Sequence, residues 1–510
     1  MRTALPVTFR RSGLAARRAQ SEACWREGMD LVARLESACG IRGAPLEWCN
    51  GYQLGLSRTE LRASPLAEAA AVQRWLVRSC DSGLVVRQEM VSMLPAVMAE
   101  IQPNDTVLDM CAAPGSKTAQ LVETISHSPT GGLVVANDVN PLRAYVLAHR
   151  LKNLTNGAGA PLNMIVVSHR GQRFPRLGDD GLAIGVGPFD KVLCDVPCSG
   201  DGTLRKEPSL WGNWRPGLGL ALHSLQLQLA TRAASLLKVG GTLAYSTCSL
   251  NPIEDEAVVS ALLAASRGAL ELVDGSALLP QLRRKAGMTR WHVIDDQNHL
   301  LQSYQQARKI ESSYNSHGGC RFRATMWPPP PASAPPLERC MRFLPHLSGS
   351  GGFFIALLKK VAPLPAPRRK PREAVAAVAR VQRDQRLAAA RADGHVLRPL
   401  QPAELVEVQS GLDLLEGALE PMDQEEPRLF TRSPLPDSHA LGRTVSKRNT
   451  ASGKIFALSP RVAHILSSYP GRLCVVHAGS VVARKRRMTW EEVDADILRG
   501  WRKRVRKLSE

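Results

Sequence analysis

Two short stretches hold residue types capable of chemistry: DKVLCDVPCSGDG, residues 190 to 202, and YSTCSLNPIEDE, residues 245 to 256. In each, a short apolar run of strand character gives way to a thiol and a turn. Cys198 and Cys248 are therefore expected at the carboxyl edge of a sheet, where open α/β sheets bind ligands. A single free cysteine is most often a buried hydrophobe. Two at a ligand edge, with Asp195 beside the first, admit a nucleophile, a metal ligand or a redox pair as well as packing. A nucleophilic thiol needs activation, because near pKa 8.5 only a few per cent is thiolate at neutral pH.

A third stretch, VLDMCAAPGSKT at 107 to 118, ends a strand on an acid and enters a helix through small residues. GSKT invites a phosphate-loop reading, but Met110 sits where that motif needs glycine, and Ser116 separates Gly115 from Lys117. A GxGxxG fingerprint is absent too. Close backbone approach at Ala112, Ala113 and Gly115 suits an adenosyl cofactor, with Asp138 of VVANDVN ending the second strand and facing the ribose hydroxyls. Spacing alone leaves S-adenosylmethionine and NAD unresolved. Asp138 also reads as a cap for the helix that starts near Pro141.

The elements that must position these residues alternate from residue 104 onward: β-branched runs such as NDTVLDM, GLVVANDV, LNMIVVSH, FDKVLCDV and GTLAYSTC are separated by helical stretches. This is a βαβ series, which predicts an α/β, doubly wound, mostly parallel sheet with helices on both faces. Leu222, Leu225, Leu229, Ala233 and Leu236 form an apolar stripe on one of those helices. GGFFIALLKK, 351 to 360, fits one more strand. Residues 1–99 read as a helical segment and 100–361 as the domain built on that sheet. WPPPPASAPP must be an extended loop. Residues 362–450 read as a linker carrying a basic helix that ends at Gly394, with a loop-rich stretch after it. Residues 451–510 read as a small β-rich module, its two short strands joined at Ala478-Gly479, followed by a basic tail.

The 510-residue chain is 44% hydrophobic with a formal charge of +20, so it can bury a large core and favours a polyanionic partner. Its 11 cysteines include no CxxC pair, which argues for free thiols and against a metal centre. No run of about 18 apolar residues predicts a membrane span. The acid-free, Arg-rich opening MRTALPVTFRRSGLAARRAQS reads as a mitochondrial presequence, whereas ARKRR and WRKRVRK read as phosphate-holding segments or nuclear import signals.

LDMCAAPGSKT, ANDV, LCDVPCSGDGTLRK and YSTCSLNPIEDEAVV resemble the successive motifs of the Sun (NSUN) family of RNA cytosine-5 methyltransferases, closest to its eukaryotic tRNA branch. LSR, RQEMVSMLP and LPHLSGSGGFF are similar as well. The resemblance is close over residues of about 50 to 360 and faint over 454 to 490, which is similar to that branch's PUA-like region.

The resemblance implies a class I methyltransferase Rossmann-like fold, S-adenosyl-L-methionine as cofactor, RNA and specifically tRNA as substrate, and no metal or membrane. It implies nuclear, including nucleolar, residence, with the mitochondrion as the alternative. Cys248 is implied as the thiol that adds to cytosine C6, making C5 reactive, and Cys198 as the residue that assists product release. Asp195 and Lys117 are implied at the pyrimidine edge. Cys111, Ala112, Ala113, Pro114, Gly115, Ser116, Lys117, Asp138 and Asp195 are implied around the cofactor. Arg170 stands where that branch carries an acid and is not expected as a ligand. The competing functions are a DNA cytosine-5 methyltransferase attacking through Cys198 and a catalytically weak RNA-binding scaffold.

Overall fold

The computed structural model describes residues 3–128, 131–155, 163–175, 189–314 and 322–365, together with strands at 397–399, 428–432, 454–458, 475–478 and 480–484. The basic helix expected before Gly394 and the tail WRKRVRK lie outside the described residues.

Residues before 100 are more than helical. They run β1 (Pro6–Arg11), α1 (Arg18–Cys39), β2 (Ala44–Leu46), β3 (Gly51–Ser57), α2 (Arg58–Ala63), α3 (Ala67–Asp81), β4 (Val85–Arg87) and α4 (Met90–Met98). The strands form an antiparallel sheet in the order β2-β3-β1-β4. The sequence reading missed this sheet because its strands are short and separated by long helices. Ser57 ends β3 and starts α2 through a capping box: its hydroxyl accepts from the Glu60 amide, and the Glu60 carboxylate accepts from the Ser57 amide at 2.7 Å.

The catalytic-type domain continues with β5 (Thr106–Asp109), α5 (Ser116–Ile125), β6 (Leu133–Asn137), α6 (Pro141–Thr155), β7 (Met164–Val167) and β8 (Phe189–Asp195). Next come α7 (Leu210–Asn213), α8 (Pro216–Leu236), β9 (Leu237–Thr247) and α9 (Glu256–Ser266). Short strands β10 (Leu270–Leu272), β11 (Lys285–Ala286), β12 (Val293–Ile294) and β13 (Leu300–Leu301) precede α10 (Tyr304–Tyr314), β14 (Met341–Phe343), α11 (Pro345–Ser348) and β15 (Phe353–Lys360).

The central order is β7-β6-β5-β8-β9-β15-β14. The strands β5 to β9 are mutually parallel, and β15 runs antiparallel to β9. Alternation along each strand fixes the two faces. Leu108, Val135, Ile165, Val192 and Leu243 point to the side covered by α8 and α9. Val107, Val134, Val166, Leu193 and Ala244 point to the side covered by α4, α5 and α6. All ten are fully buried, and each Val, Leu or Ile among them contributes about 1.5–3 kcal/mol of hydrophobic stabilisation. The order reverses between β5 and β8, so the crevice outside their carboxyl ends is the expected ligand site.

The stripe expected on α8 is rotated. Leu222 and Leu225 are only half-buried, while the fully buried face includes the polar His223 and Gln226. His223 is satisfied on both ring nitrogens, with Nδ1 2.7 Å from the Ile253 carbonyl and Nε2 2.8 Å from the Thr325 hydroxyl, whereas Gln226 donates to the Pro197 carbonyl at 3.0 Å while its Oε1 has no partner among the described residues.

Past residue 365, β16 (Leu397–Pro399), β17 (Arg428–Arg432), β18 (Lys454–Leu458) and β20 (Ser480–Arg484) form a second antiparallel sheet, while β19 (Val475–Ala478) adds to the edge of the main sheet beside β7. The two strands flanking Ala478-Gly479 therefore do not pair with each other as a hairpin. Among the described residues no helix is long and apolar enough to cross a membrane.

Candidate active site

The loop after β5 is stitched to both neighbouring strands. The Met110 amide donates to the Leu193 carbonyl at 2.9 Å, and the Ala112 amide donates to the Asn137 carbonyl at 2.7 Å. Gly115 then turns the chain into α5 at φ +103°, where a side chain would be strained and its Cβ would stand 2.6 Å from Leu147 Cδ1. The resulting cleft is about 380 Å³. Cys111, Ala112, Ala113, Pro114, Ser116 and Lys117 form one wall, and Asp195, Cys248 and Phe353 face them. Asp109 also lines it; burial pushes its carboxyl up to about 7, against the Thr118 hydroxyl that donates to it at 2.8 Å.

Gly115 and Asp138 support this wall without lining the cleft. Asp138 is buried just past β6, and its carboxylate accepts from the Asn140 amide at 2.9 Å, with Arg143 at 3.6 Å. Asn140 is the residue that caps α6, accepting from the Leu142 and Arg143 amides. Asp138 is thus not the cap itself.

Lys117 and Asp195 meet across the cleft. Lys117 Nζ donates to the Asp195 carboxylate at 2.7 Å and to the Ser92 hydroxyl at 3.0 Å, and the other Asp195 oxygen accepts from Ser246 Oγ at 2.8 Å. Burial works to lower the Lys117 pKa, but the Asp195 carboxylate outweighs it and the net shift is upward. The ammonium therefore keeps its proton, within electrostatic range of the Cys248 sulfur.

The thiols come together from strand ends 50 residues apart: Cys198 Sγ and Cys248 Sγ are separated by 3.1 Å. The hydrogen bond to Cys248, followed by burial, raises the Cys198 thiol well above its ordinary range. Cys198 is thus held as a thiol in hydrogen-bond contact with the Cys248 sulfur. Of this pair Cys248 lines the cleft and Cys198, itself half-buried, does not. Cys111 and Cys194 are held protonated, mainly by burial. Among the described residues there is no cluster of metal-ligating side chains.

Sequence reasoning missed what holds the thiol loops. Glu254, fully buried, accepts from the Ser199 amide at 2.8 Å, from Ser249 Oγ at 2.8 Å, from Gln226 Nε2 at 3.0 Å and from Ser199 Oγ. One carboxylate thus ties the residue after each thiol to the other. Arg342 of β14 donates to the Leu250 carbonyl at 2.9 Å and to the Glu256 carboxylate at 2.6 Å, fixing the same loop from outside. Gly202 closes the frame: its amide donates to the Cys248 carbonyl at 2.9 Å, and a Cβ there would lie 2.6 Å from that oxygen. A carboxylate in SLNPIEDE is visible in sequence, but its four donors come from three separate elements.

Glu254→Ala strands those donors, each at about 1–3 kcal/mol if left unsatisfied. It is expected to lower Tm and to reduce kcat more than KM, whereas Glu254→Gln, which keeps the shape and one acceptor, recovers part of both. Thermal unfolding and steady-state kinetics of the two variants check this.

A parallel sheet in the order described, closed by an antiparallel last strand and carrying a glycine-turned loop at its reversal point, is the class I methyltransferase fold, and the cofactor that fold takes is S-adenosylmethionine. Residues 96–290 match the family of 16S rRNA methyltransferases RsmB/F. Among its relatives are the multisite-specific tRNA:(cytosine-C(5))-methyltransferase of Schizosaccharomyces pombe, 41% identical over 339 residues, and the tRNA (cytosine(34)-C(5))-methyltransferase of Drosophila melanogaster, 42% identical over 320 residues. Each alignment takes in 61% of this chain, and 47% and 41% of those relatives respectively. The tRNA (cytosine(49)-C(5))-methyltransferase of Pyrococcus abyssi is 38% identical over 229 residues, 45% of this chain and 65% of that protein. The chain spans less than half the length of the two eukaryotic relatives.

The residues present fit the cofactor. Ala112 and Ala113 bring backbone rather than bulk to the cleft wall, and Asp138, buried just past β6, is the only acid of its turn.

Proposed function

We propose that the protein methylates C5 of cytosine in RNA, and in tRNA specifically, through a covalent bond between Cys248 and C6. The observation that carries this reading is the sulfur pair at 3.1 Å, one member open to a cleft that also presents the Lys117–Asp195 pair. The relatives' substrates support tRNA. S-adenosylmethionine, when bound, supplies the electrophilic methyl.

Cys248 adds to C6, forming the S–C6 bond and moving electron density to C5 and toward N3. Asp195 and Lys117 meet that edge of the base, so that a proton or hydrogen bond balances the charge developing there. Once C5 carries the methyl group, the C5 proton passes to solvent, the C–H electron pair re-forms the C5–C6 double bond, and the S–C6 bond breaks with its pair left on the Cys248 sulfur. Cys198, protonated and in contact with Cys248 Sγ, assists this last step by hydrogen-bonding the departing sulfur. A paired cytosine must first leave its stack, at about a few kcal/mol, which the +20 charge of the chain helps to offset by drawing in the polyanion.

The test is bisulfite sequencing of tRNA after incubation with the protein and S-adenosylmethionine. New protected cytosines are expected; methyl incorporation into DNA and not RNA overturns the reading. Asp138→Ala is expected to weaken cofactor binding about 10- to 100-fold, the loss of charge-assisted hydrogen bonds of about 1.5–3 kcal/mol, while leaving RNA affinity unchanged. Calorimetry with S-adenosylhomocysteine measures it. The basic runs at 483–487 and 501–507 support nuclear residence, and a fluorescent fusion that concentrates in mitochondria sinks that part.

A further inference from the structure

Three cations of the cleft have no part in the chemistry above. Arg87 ends β4, Arg150 lies on α6 and Lys206 follows the Cys198 loop, and all three line the same cleft as Cys248. None of them makes a side-chain hydrogen bond or ion pair with any described residue, and Arg87 Nε is buried without an acceptor. Their neighbours differ. Arg10 is ion-paired with Glu123 in the interior, although its Nη2 too lacks an acceptor, Arg143 is bonded to the Ala113 carbonyl, and Arg205 is bonded to the carbonyls of Thr3, Ala4 and Ser350. A guanidinium nitrogen removed from water without a partner is destabilising, and structures keep such a group where a ligand completes it. Burial is the main force lowering the Arg150 pKa; Cys80 opposes it and Arg10 adds to it.

We propose that Arg87, Arg150 and Lys206 form an anion site that takes backbone phosphates of the RNA strand carrying the target cytosine. A strand supplies one negative charge per nucleotide, matching several cations spread around one cleft, whereas a cofactor carboxylate supplies a single charge. The three residues come from three different parts of the chain: the N-terminal sheet, the helix after the ribose-side acid, and the loop after the first thiol. Arginine also suits phosphate through its planar fork. The site lets the N-terminal layer share in holding the substrate beside Cys248. This inference rests on the RNA reading above.

The experiment measures binding of an unmodified tRNA transcript to the full chain at several salt concentrations, with Arg87→Gln, Arg150→Gln and Lys206→Gln singly and together. Each loss of a phosphate contact to a single strand is expected to flatten the plot of log affinity against log salt by about 0.7, and the triple variant by about 2. Affinity for S-adenosylhomocysteine should stay within about twofold of wild type, a free-energy change too small to reflect a lost charged contact. Arg87→Lys keeps the charge and should keep the slope, which separates charge loss from misfolding. An unchanged slope in the triple variant overturns the site. So does a large loss of S-adenosylhomocysteine affinity with RNA binding intact, which would assign the cations to the cofactor. If wild type binds RNA with the expected slope yet transfers no methyl group, the catalytic reading fails and the phosphate site stands.

Discussion

Cys198→Ala, mixed with substrate tRNA and S-adenosylmethionine, is expected to accumulate a protein–RNA complex that survives denaturing electrophoresis. The reason lies in the order of bonds. Cys248 still adds to C6 and the methyl group still arrives, but the proton-bearing sulfur 3.1 Å from the departing thiolate has gone. Release therefore becomes slow, and the adduct builds up. Cys248→Ala removes the attacking atom, so methyl transfer should fall by roughly 10⁴-fold or more, and the double variant should give no adduct. A DNA-type mechanism, with Cys198 attacking, predicts the opposite pattern: activity retained in Cys248→Ala and no adduct in Cys198→Ala. An RNA-binding scaffold predicts binding without adduct in every variant. The gel distinguishes all three.

The second large effect concerns the Lys117–Asp195 pair. Lys117→Met removes a buried ammonium whose partners are Asp195 and Ser92 and whose charge lies near the Cys248 sulfur. A group that orders the base and stabilises charge in the transition state contributes about 10²–10⁴-fold, and a loss in that range is expected in kcat. Asp195→Asn keeps the shape and should lose a similar factor.

The pH dependence has a definite sign. The folded pKa of Lys117 lies above its ordinary value of 10.5, so its contribution to stability is complete below the unfolded pKa and is lost as pH rises through the folded one. Between about pH 7 and 9 the lysine stays charged, so it contributes no rate change across that interval, and the pH profile should persist in shape in Lys117→Arg. A wild-type rate that falls through this interval, with the fall absent in Lys117→Arg, would contradict the assignment.

The alternation of apolar runs with helical stretches was enough to place β5, β6, β7, β8 and β9 in one mostly parallel sheet, because residues buried on both faces must be apolar throughout a strand. The strand-end acids, thiols and glycine turn were legible for a related reason: carboxyl ends of such strands meet at one edge whatever the details of packing. The antiparallel sheet before residue 100 was not legible, since each strand is short and its pairing partner lies far along the chain. Nor was the burial of His223 and Gln226, which an apolar stripe alone would leave half exposed.

Local pattern, then, settled the backbone class, the loop at the reversal point and the residue types at the cleft. It left open which sulfur faces the ligand, because two thiols at equivalent strand ends look alike in one dimension. Tertiary packing decided that. It put Cys248 rather than Cys198 on the cleft wall, drew Lys117 and Asp195 together from elements 78 residues apart, and bound both thiol loops to Glu254. Periodicity reports how a segment turns about its own axis and which side it buries. The partner met on that side depends on a fold closing over many tens of residues, and only the three-dimensional arrangement carries it.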